Sequence, residues 1–305
     1  MADQRGGGIA WTEQTWNPVR GCSKVSEGCR HCYAMHVAAR FSGEGEPYQG
    51  LATRDPARWT GKVELVEKHL TDPLRWRRPR RVFVNSMSDL FHEALPDEAI
   101  DGVFAVMALA PRHTFQVLTK RPSRMRDYMA DLPARKLAWA RAAALLLHGE
   151  TDLAAAPRWA DNEPLPNVWL GTSVEDQRAA DERIPLLLET PAAVRFLSVE
   201  PLLGPVRFPL PCTGSVFWGG LHWVIVGGES GPNARPCDVA WLRDIVRQCR
   251  DAAVPVFTKQ MGSNCYVDTR QNKTLPGWRR AFRDRKGSDP AEWPEDLRVR
   301  EWPRG

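Results

Sequence analysis

The 305-residue chain has no apolar run approaching the ~20 residues of a membrane-spanning helix, so no membrane partner is expected. Met1 to Ala10 is polar and Gly-rich and lacks the apolar core of a secretory signal, which predicts a cytoplasmic location. Cysteine is sparse, seven residues and an odd count. In a cytosolic chain such thiols stay reduced, so no disulfide framework is expected, and any cluster of them points to metal binding or catalysis. With 43% hydrophobic and 26% charged residues, the chain lacks the polar excess of general disorder. The charge excess is small, +5 with a pI near 8.9. That is compatible with an anionic partner such as nucleic acid without requiring one. Thirteen tryptophans stand out, several beside proline or arginine. Packing of amphipathic loops is the plain reading and stacking on bases the functional one.

Short apolar runs recur along the chain. They are Arg81 to Asn85, Thr114 to Thr119, Asn167 to Thr172, Val194 to Val199, His222 to Gly227 and Val254 to Thr258. Their β-branched, nearly continuous apolar character predicts buried parallel strands. An earlier strand is predicted over Thr15 to Val19, directly before Gly21 and Cys22. Helical patterns lie between the runs, at Asp97 to Ala110, Asp176 to Leu188 and Val239 to Ala252, the last with Asp238 as N-cap. The alternation predicts an α/β fold, a full or partial (βα) TIM-like barrel of six to seven parallel strands, with a doubly wound sheet as the alternative. The barrel is expected over residues 1–265. A helical insertion at 130–166, with a helix over Lys136 to Leu147, forms a lid or a helical hairpin. An irregular tail rich in Arg, Trp and Pro occupies 266–305 and packs on the barrel.

Cys22, Cys29 and Cys32 read C-x6-C-x2-C inside WNPVRGCSKVSEGCRHCYA, just after the first predicted strand. Thiolates are soft ligands suited to iron–sulfur clusters and zinc. Three cysteines on a [4Fe–4S] cluster leave one iron open, and that iron can chelate the amino and carboxylate groups of S-adenosylmethionine (SAM). An electron from the reduced cluster then cleaves the sulfonium to a 5′-deoxyadenosyl radical. The alternative is a structural zinc site, in which His36 completes a Cys3His set. Cys212, Cys237, Cys249 and Cys265 form no second triad and read as small buried residues.

A three-cysteine loop after the first barrel strand resembles the radical SAM superfamily, with two departures. The first gap is six residues rather than three, and His31 stands where an aromatic residue precedes the third cysteine, with Tyr33 on its other side. More narrowly, FVNSMSDLFH (Phe83 to His92), LTKRP (Leu118 to Pro122), GTSVEDQ (Gly171 to Gln177), LSVEPLLGP (Leu197 to Pro205) and VGGESGPNARP (Val226 to Pro236) make the chain similar to the phage- and bacterium-associated three-Cys-motif family, a domain of unknown function. A more distant likeness is to lyases of the spore photoproduct type that repair DNA. The resemblance implies a [4Fe–4S] cluster on Cys22, Cys29 and Cys32, SAM, and an external electron donor.

Functional residues of a βα barrel gather at the C-terminal strand ends. After the second strand these are Ser86, Ser88 and Asp89. The resemblance places the methionine amino group of SAM here, while a helix N-cap is the structural reading. After the fourth come Ser173 and Glu175, which the resemblance sets beside the ribose or carboxylate of SAM. After the fifth comes Glu200. After the sixth, Gly228 and Glu229 belong to a glycine-rich turn without the G-x-G-x-x-G of dinucleotide binding; glycine there permits close approach of a ligand or simply a tight turn. Lys120, Arg121 and Lys259 are expected to neutralise a substrate phosphate or the SAM carboxylate. Cys237 is a candidate hydrogen-atom donor to a substrate radical, and Tyr33 the other catalytic candidate.

Arg75 to Arg81 (RWRRPRR) and Trp278 to Lys286 (WRRAFRDRK) combine arginine with tryptophan, a texture suited to phosphate and bases. The reading is therefore a SAM-cleaving enzyme acting on nucleic acid in repair or modification. A zinc-stabilised nucleic-acid-binding protein and a barrel hydrolase using the strand-end glutamates are the alternatives.

Overall fold

The computed structural model describes residues 8–146, 162–208, 220–266 and 282–303. Its fold is α/β, with seven principal strands: β1 (Gln14–Trp16), β2 (Arg81–Val84), β3 (Thr114–Thr119), β4 (Val168–Ser173), β5 (Val194–Val199), β6 (Trp223–Gly227) and β7 (Val256–Gln260). The principal helices are α1 (Tyr33–Arg40), α2 (Asp97–Leu109), α3 (Pro122–Met129), α4 (Leu132–Leu146), α5 (Gln177–Glu189) and α6 (Val239–Asp251). β4 and β6 are buried at every residue, which is why their sequences show no alternation. Among the described residues no helix is long and apolar enough to cross a membrane.

The chain divides into two compact units, Met1–Gly171 with Glu189–Val194, and Thr172–Leu188 with Arg195–Gly305. The division passes through β4.

In the first unit the strand order is β1, β2, β3, β4. β1 and β2 pair in parallel with Trp16 opposite Val84, and β2 and β3 pair in parallel with Val84 opposite Val117. β1 is shorter than the predicted Thr15 to Val19. Pro18 has no N–H to give a ladder and Asn17 is restricted by the proline that follows. Val19–Arg20 instead pairs antiparallel with Glu64–Leu65. Helix α4, the described part of the insertion, packs on α2. The rings of Trp139 and Phe104 stack with centroids 4.7 Å apart. Trp139 Nε1 donates to the Tyr128 hydroxyl, which donates to Asp101. This part of the insertion is therefore a wall of the core and not a lid; residues 147–161 lie outside the described residues.

In the second unit the end of β4 is followed in order by β5, β6 and β7. Trp223 on β6 is fully buried between Phe196 and Phe257. Helix α6 turns Val239, Leu242, Ile245, Val246 and Cys249 inward, and its predicted N-cap is present: Asp238 Oδ1 accepts from the Ala240 N–H at 2.9 Å. Of the tail, residues 282–303 are described. They run beside β7, with Arg300 opposite Phe257 in an antiparallel bridge and Trp293 buried. Cys212 and Trp278 to Ala281 lie outside the described residues. The tryptophans at 11, 16, 139, 223 and 293 are all buried, so packing accounts for them.

Candidate functional site

The cysteine loop belongs to the first unit and is anchored at both ends. At its start, Gly21 has φ of +84° and bridges Ser88 just beyond β2. A Cβ there would collide with the Lys62 carbonyl, so the position requires glycine. The Ser88 hydroxyl donates to the Val19 carbonyl at 2.9 Å, and Asn17 Oδ1 accepts from both Ser86 Oγ and the Met87 N–H at 3.1 Å. Cys29 ends a single turn of 3-10 helix, and Cys32 immediately precedes α1. At the far end, the Tyr33 hydroxyl donates to the Ser86 carbonyl at 2.6 Å. Ser86, Ser88 and Tyr33, all singled out from sequence, thus fasten the loop to the end of β2.

All three thiols are free and partly exposed. Burial pushes the Cys22 thiol up to about 12; the Asp89 carboxylate and the other two cysteines push the same way, while Arg121 opposes them. Among the described residues, no three His, Cys, Asp or Glu side chains are drawn together in a metal-holding arrangement.

Behind Cys22 lies a buried polar array from the ends of β2 and β3. Asp89 accepts from the Phe91 N–H (3.0 Å), Thr119 Oγ1 (2.7 Å), the Lys120 N–H (3.0 Å) and Arg121 Nη1 (3.1 Å). Both of its oxygens are therefore occupied by the protein itself. Arg121 also donates to Glu93 at 2.8 Å and to Ser23 Oγ at 2.7 Å. Burial alone would weaken its charge, but Asp89, Glu93 and Cys22 raise its pKa above the ordinary value. Arg121 is thus an internal cation fixed beside Cys22, and not the open rim cation expected from sequence. The Lys120 side chain has no partner among the described residues and is the free cation of this strand end.

His92 completes the array. Its Nδ1 accepts from the Ala94 N–H at 3.2 Å, which assigns the ring hydrogen to Nε2, and Nε2 donates to Ser23 Oγ at 2.9 Å. Burial, then Arg121, lowers the His92 pKa, so the ring is neutral near pH 7. Ser23 Oγ accepts from both Arg121 and His92, leaving its own hydrogen for a further acceptor. Ser23 and His92 were not foreseen as site residues. The signal was the serine directly after Cys22 and the histidine closing the FVNSMSDLFH motif.

The strand ends of the second unit carry a different pattern, in which each singled-out glutamate has its own cation. Arg183 of α5 clasps Glu175 through two contacts at 2.9 and 3.3 Å and also donates to the Ser173 carbonyl. Lys259 Nζ sits 2.6 and 2.8 Å from the two oxygens of Glu200, and Gln260 donates to the same carboxylate at 3.2 Å. Glu229 accepts from Arg235 three times, through Nη2 (2.6 Å), the backbone N–H (2.8 Å) and Nε (3.0 Å). A Cβ on Gly228 would collide with the Met261 carbonyl, so this glycine is required by the crossing of two backbones. Cys237 is buried and lies opposite Cys265 in a short parallel pairing, and burial, followed by Cys265, raises its thiol pKa. Arg183 and Arg235 went unrecognised from sequence. Arg183 has a readable signal, as an arginine on the otherwise apolar stripe Ala179, Ala180, Ile184, Leu187.

The profile of a family described as a protein of unknown function (DUF5131) matches residues 6–287. No curated protein and no solved structure matches the chain.

Proposed function

We propose that this chain, which belongs to the DUF5131 family, is an iron–sulfur enzyme of the radical SAM type acting on nucleic acid. The observation that carries this reading is the anchored loop at the ends of β1 and β2. It presents three thiols on eleven residues, and the Cys22 thiol feels both of the others. The donor set fits a [4Fe–4S] cluster in kind: three soft ligands from one short segment leave one metal position for a small molecule. Cys22, Cys29 and Cys32 would hold the cluster, which when bound supplies the electron that cleaves SAM.

The chain's own residues support this in definable ways. A ligating thiol must lose its proton, and for Cys22 burial opposes that loss while the Arg121 charge favours it. Asp89 and Glu93 hold that guanidinium in place, so Asp89 acts through Arg121 and not on a ligand directly. The Ser23 hydroxyl offers its remaining hydrogen to a sulfur or ligand acceptor at the loop. Lys120, without a side-chain partner among the described residues at the end of β3, is the residue to meet a carboxylate or phosphate there. An external reductant is implied as a partner.

The test is anaerobic reconstitution with iron and sulfide, comparing the wild type with Cys22→Ala, Cys29→Ala and Cys32→Ala. The expected result is about four irons and four sulfides per chain with broad visible absorbance, lost in each variant. Colourless protein holding stoichiometric zinc would overturn the reading in favour of a zinc-stabilised binding protein.

A further inference from the structure

We infer that the arm from Arg75 to Arg80 is a nucleic-acid backbone contact on the opposite strand edge of the first unit from the cysteine loop. The arm joins a short helix, Asp72–Arg75, to the N-terminal end of β2. The cysteine loop, Asp89 and Arg121 follow the C-terminal ends of β1, β2 and β3. The four residues of β2 lie between the two places, which sets them at least about 10 Å apart.

The backbone of the arm is held firmly. Arg112 donates to the carbonyls of Pro73 (3.1 Å), Leu74 (2.7 Å) and Trp76 (2.8 Å). The Trp76 ring meets His113 edge-on at 5.7 Å, and the Arg80 guanidinium lies over the same ring, 5.8 Å from its centroid. Against this fixed frame, Arg75, Arg77 and Arg78 are exposed, and none has a partner among the described residues. Two acids near the arm are already engaged: Asp72 by His69 at 3.0 Å, and Glu13 by the backbone N–H of Arg81 at 2.8 Å and by its guanidinium.

Three exposed guanidinium groups within four residues on a pinned backbone form a compact cationic patch, which a partner carrying regularly spaced negative charge complements. Phosphodiesters match the planar fork of arginine and need no sequence-specific reading. The inference rests on the nucleic-acid part of the function proposed above and not on the cluster.

The test is fluorescence anisotropy with the full chain, without iron reconstitution, using a DNA duplex of about 20 base pairs and the matching RNA duplex across a salt series. Each phosphate contact contributes about 0.9 to the slope of log K against log salt. The variant carrying Arg75→Ala, Arg77→Ala and Arg78→Ala should flatten that slope by about 2 to 3 with either duplex, while the corresponding triple lysine variant should keep it. The tighter of the two duplexes identifies the nucleic acid. An unchanged slope in the alanine variant, or binding of polyglutamate equal to that of both duplexes, would overturn the inference. Because no metal is used, that failure is separate from a failure of the iron–sulfur reading.

Discussion

Arg121 and Asp89 form a buried ion pair at 3.1 Å directly behind Cys22, and each is nearly closed to solvent. The pair links the ends of β2 and β3 to the loop that follows β1, because Arg121 also reaches Ser23. Removing one partner of such a pair leaves an uncompensated buried charge. Asp89→Ala and Arg121→Ala are each expected to cost about 3–5 kcal/mol of stability, read by urea unfolding. A loss below about 1 kcal/mol would show that water compensates the remaining charge.

The Glu175–Arg183 pair offers a sharper version of the same argument. Its side chains are 1% and 9% exposed, so either single apolar substitution strands a charge. The double variant Glu175→Leu with Arg183→Met removes both charges and is expected to be more stable than either single variant by at least about 3 kcal/mol. Strict additivity of the two singles would contradict the pairing.

Three histidines share a direction. Burial lowers the pKa of His92, His113 and His222 from the ordinary 6.5. The unfolded chain therefore binds protons that the folded chain does not, starting near pH 6.5. Stability is full above that pH and falls as the pH drops from about 6.5 towards the lowered folded values. Urea midpoints between pH 7 and pH 5 should fall accordingly, and His92→Gln should flatten part of the slope. A flat profile in the wild type would contradict the buried, neutral state of these rings.

Gly21→Ala forces a Cβ against the Lys62 carbonyl at a positive φ. About 1–3 kcal/mol of destabilisation is expected, together with weaker metal uptake, since this residue sets where Cys22 begins. Thermal unfolding, and the iron content after anaerobic reconstitution, of the same variant check both. Ordinary stability with ordinary uptake would mean that the loop start is adaptable.

Much of this architecture was legible in the sequence, and the failures have physical causes. Thr114–Thr119 and Val194–Val199 were read to the residue, because buried parallel strands are nearly continuous apolar runs. β7 was read two residues early: Pro255 and the positive φ of Ala253 delay the ladder until Val256. The spacing of Cys22, Cys29 and Cys32 was visible because their ordering is local. The array behind them was not, because Ser23, Asp89, His92 and Arg121 meet only through the register of three strand ends. The same limit applied to the glutamates: Glu175, Glu200 and Glu229 were singled out at strand ends, but the cations Arg183, Lys259 and Arg235 that satisfy them are brought in only by the fold.

SAM cleavage is read by assaying 5′-deoxyadenosine after anaerobic reconstitution with iron and sulfide and addition of SAM and dithionite. The comparison is the variant carrying Cys22→Ala, Cys29→Ala and Cys32→Ala together. A radical SAM enzyme gives product from the wild type and none from the variant; equal yields from the two, or none from a wild type shown to carry its full cluster, would rule that activity out.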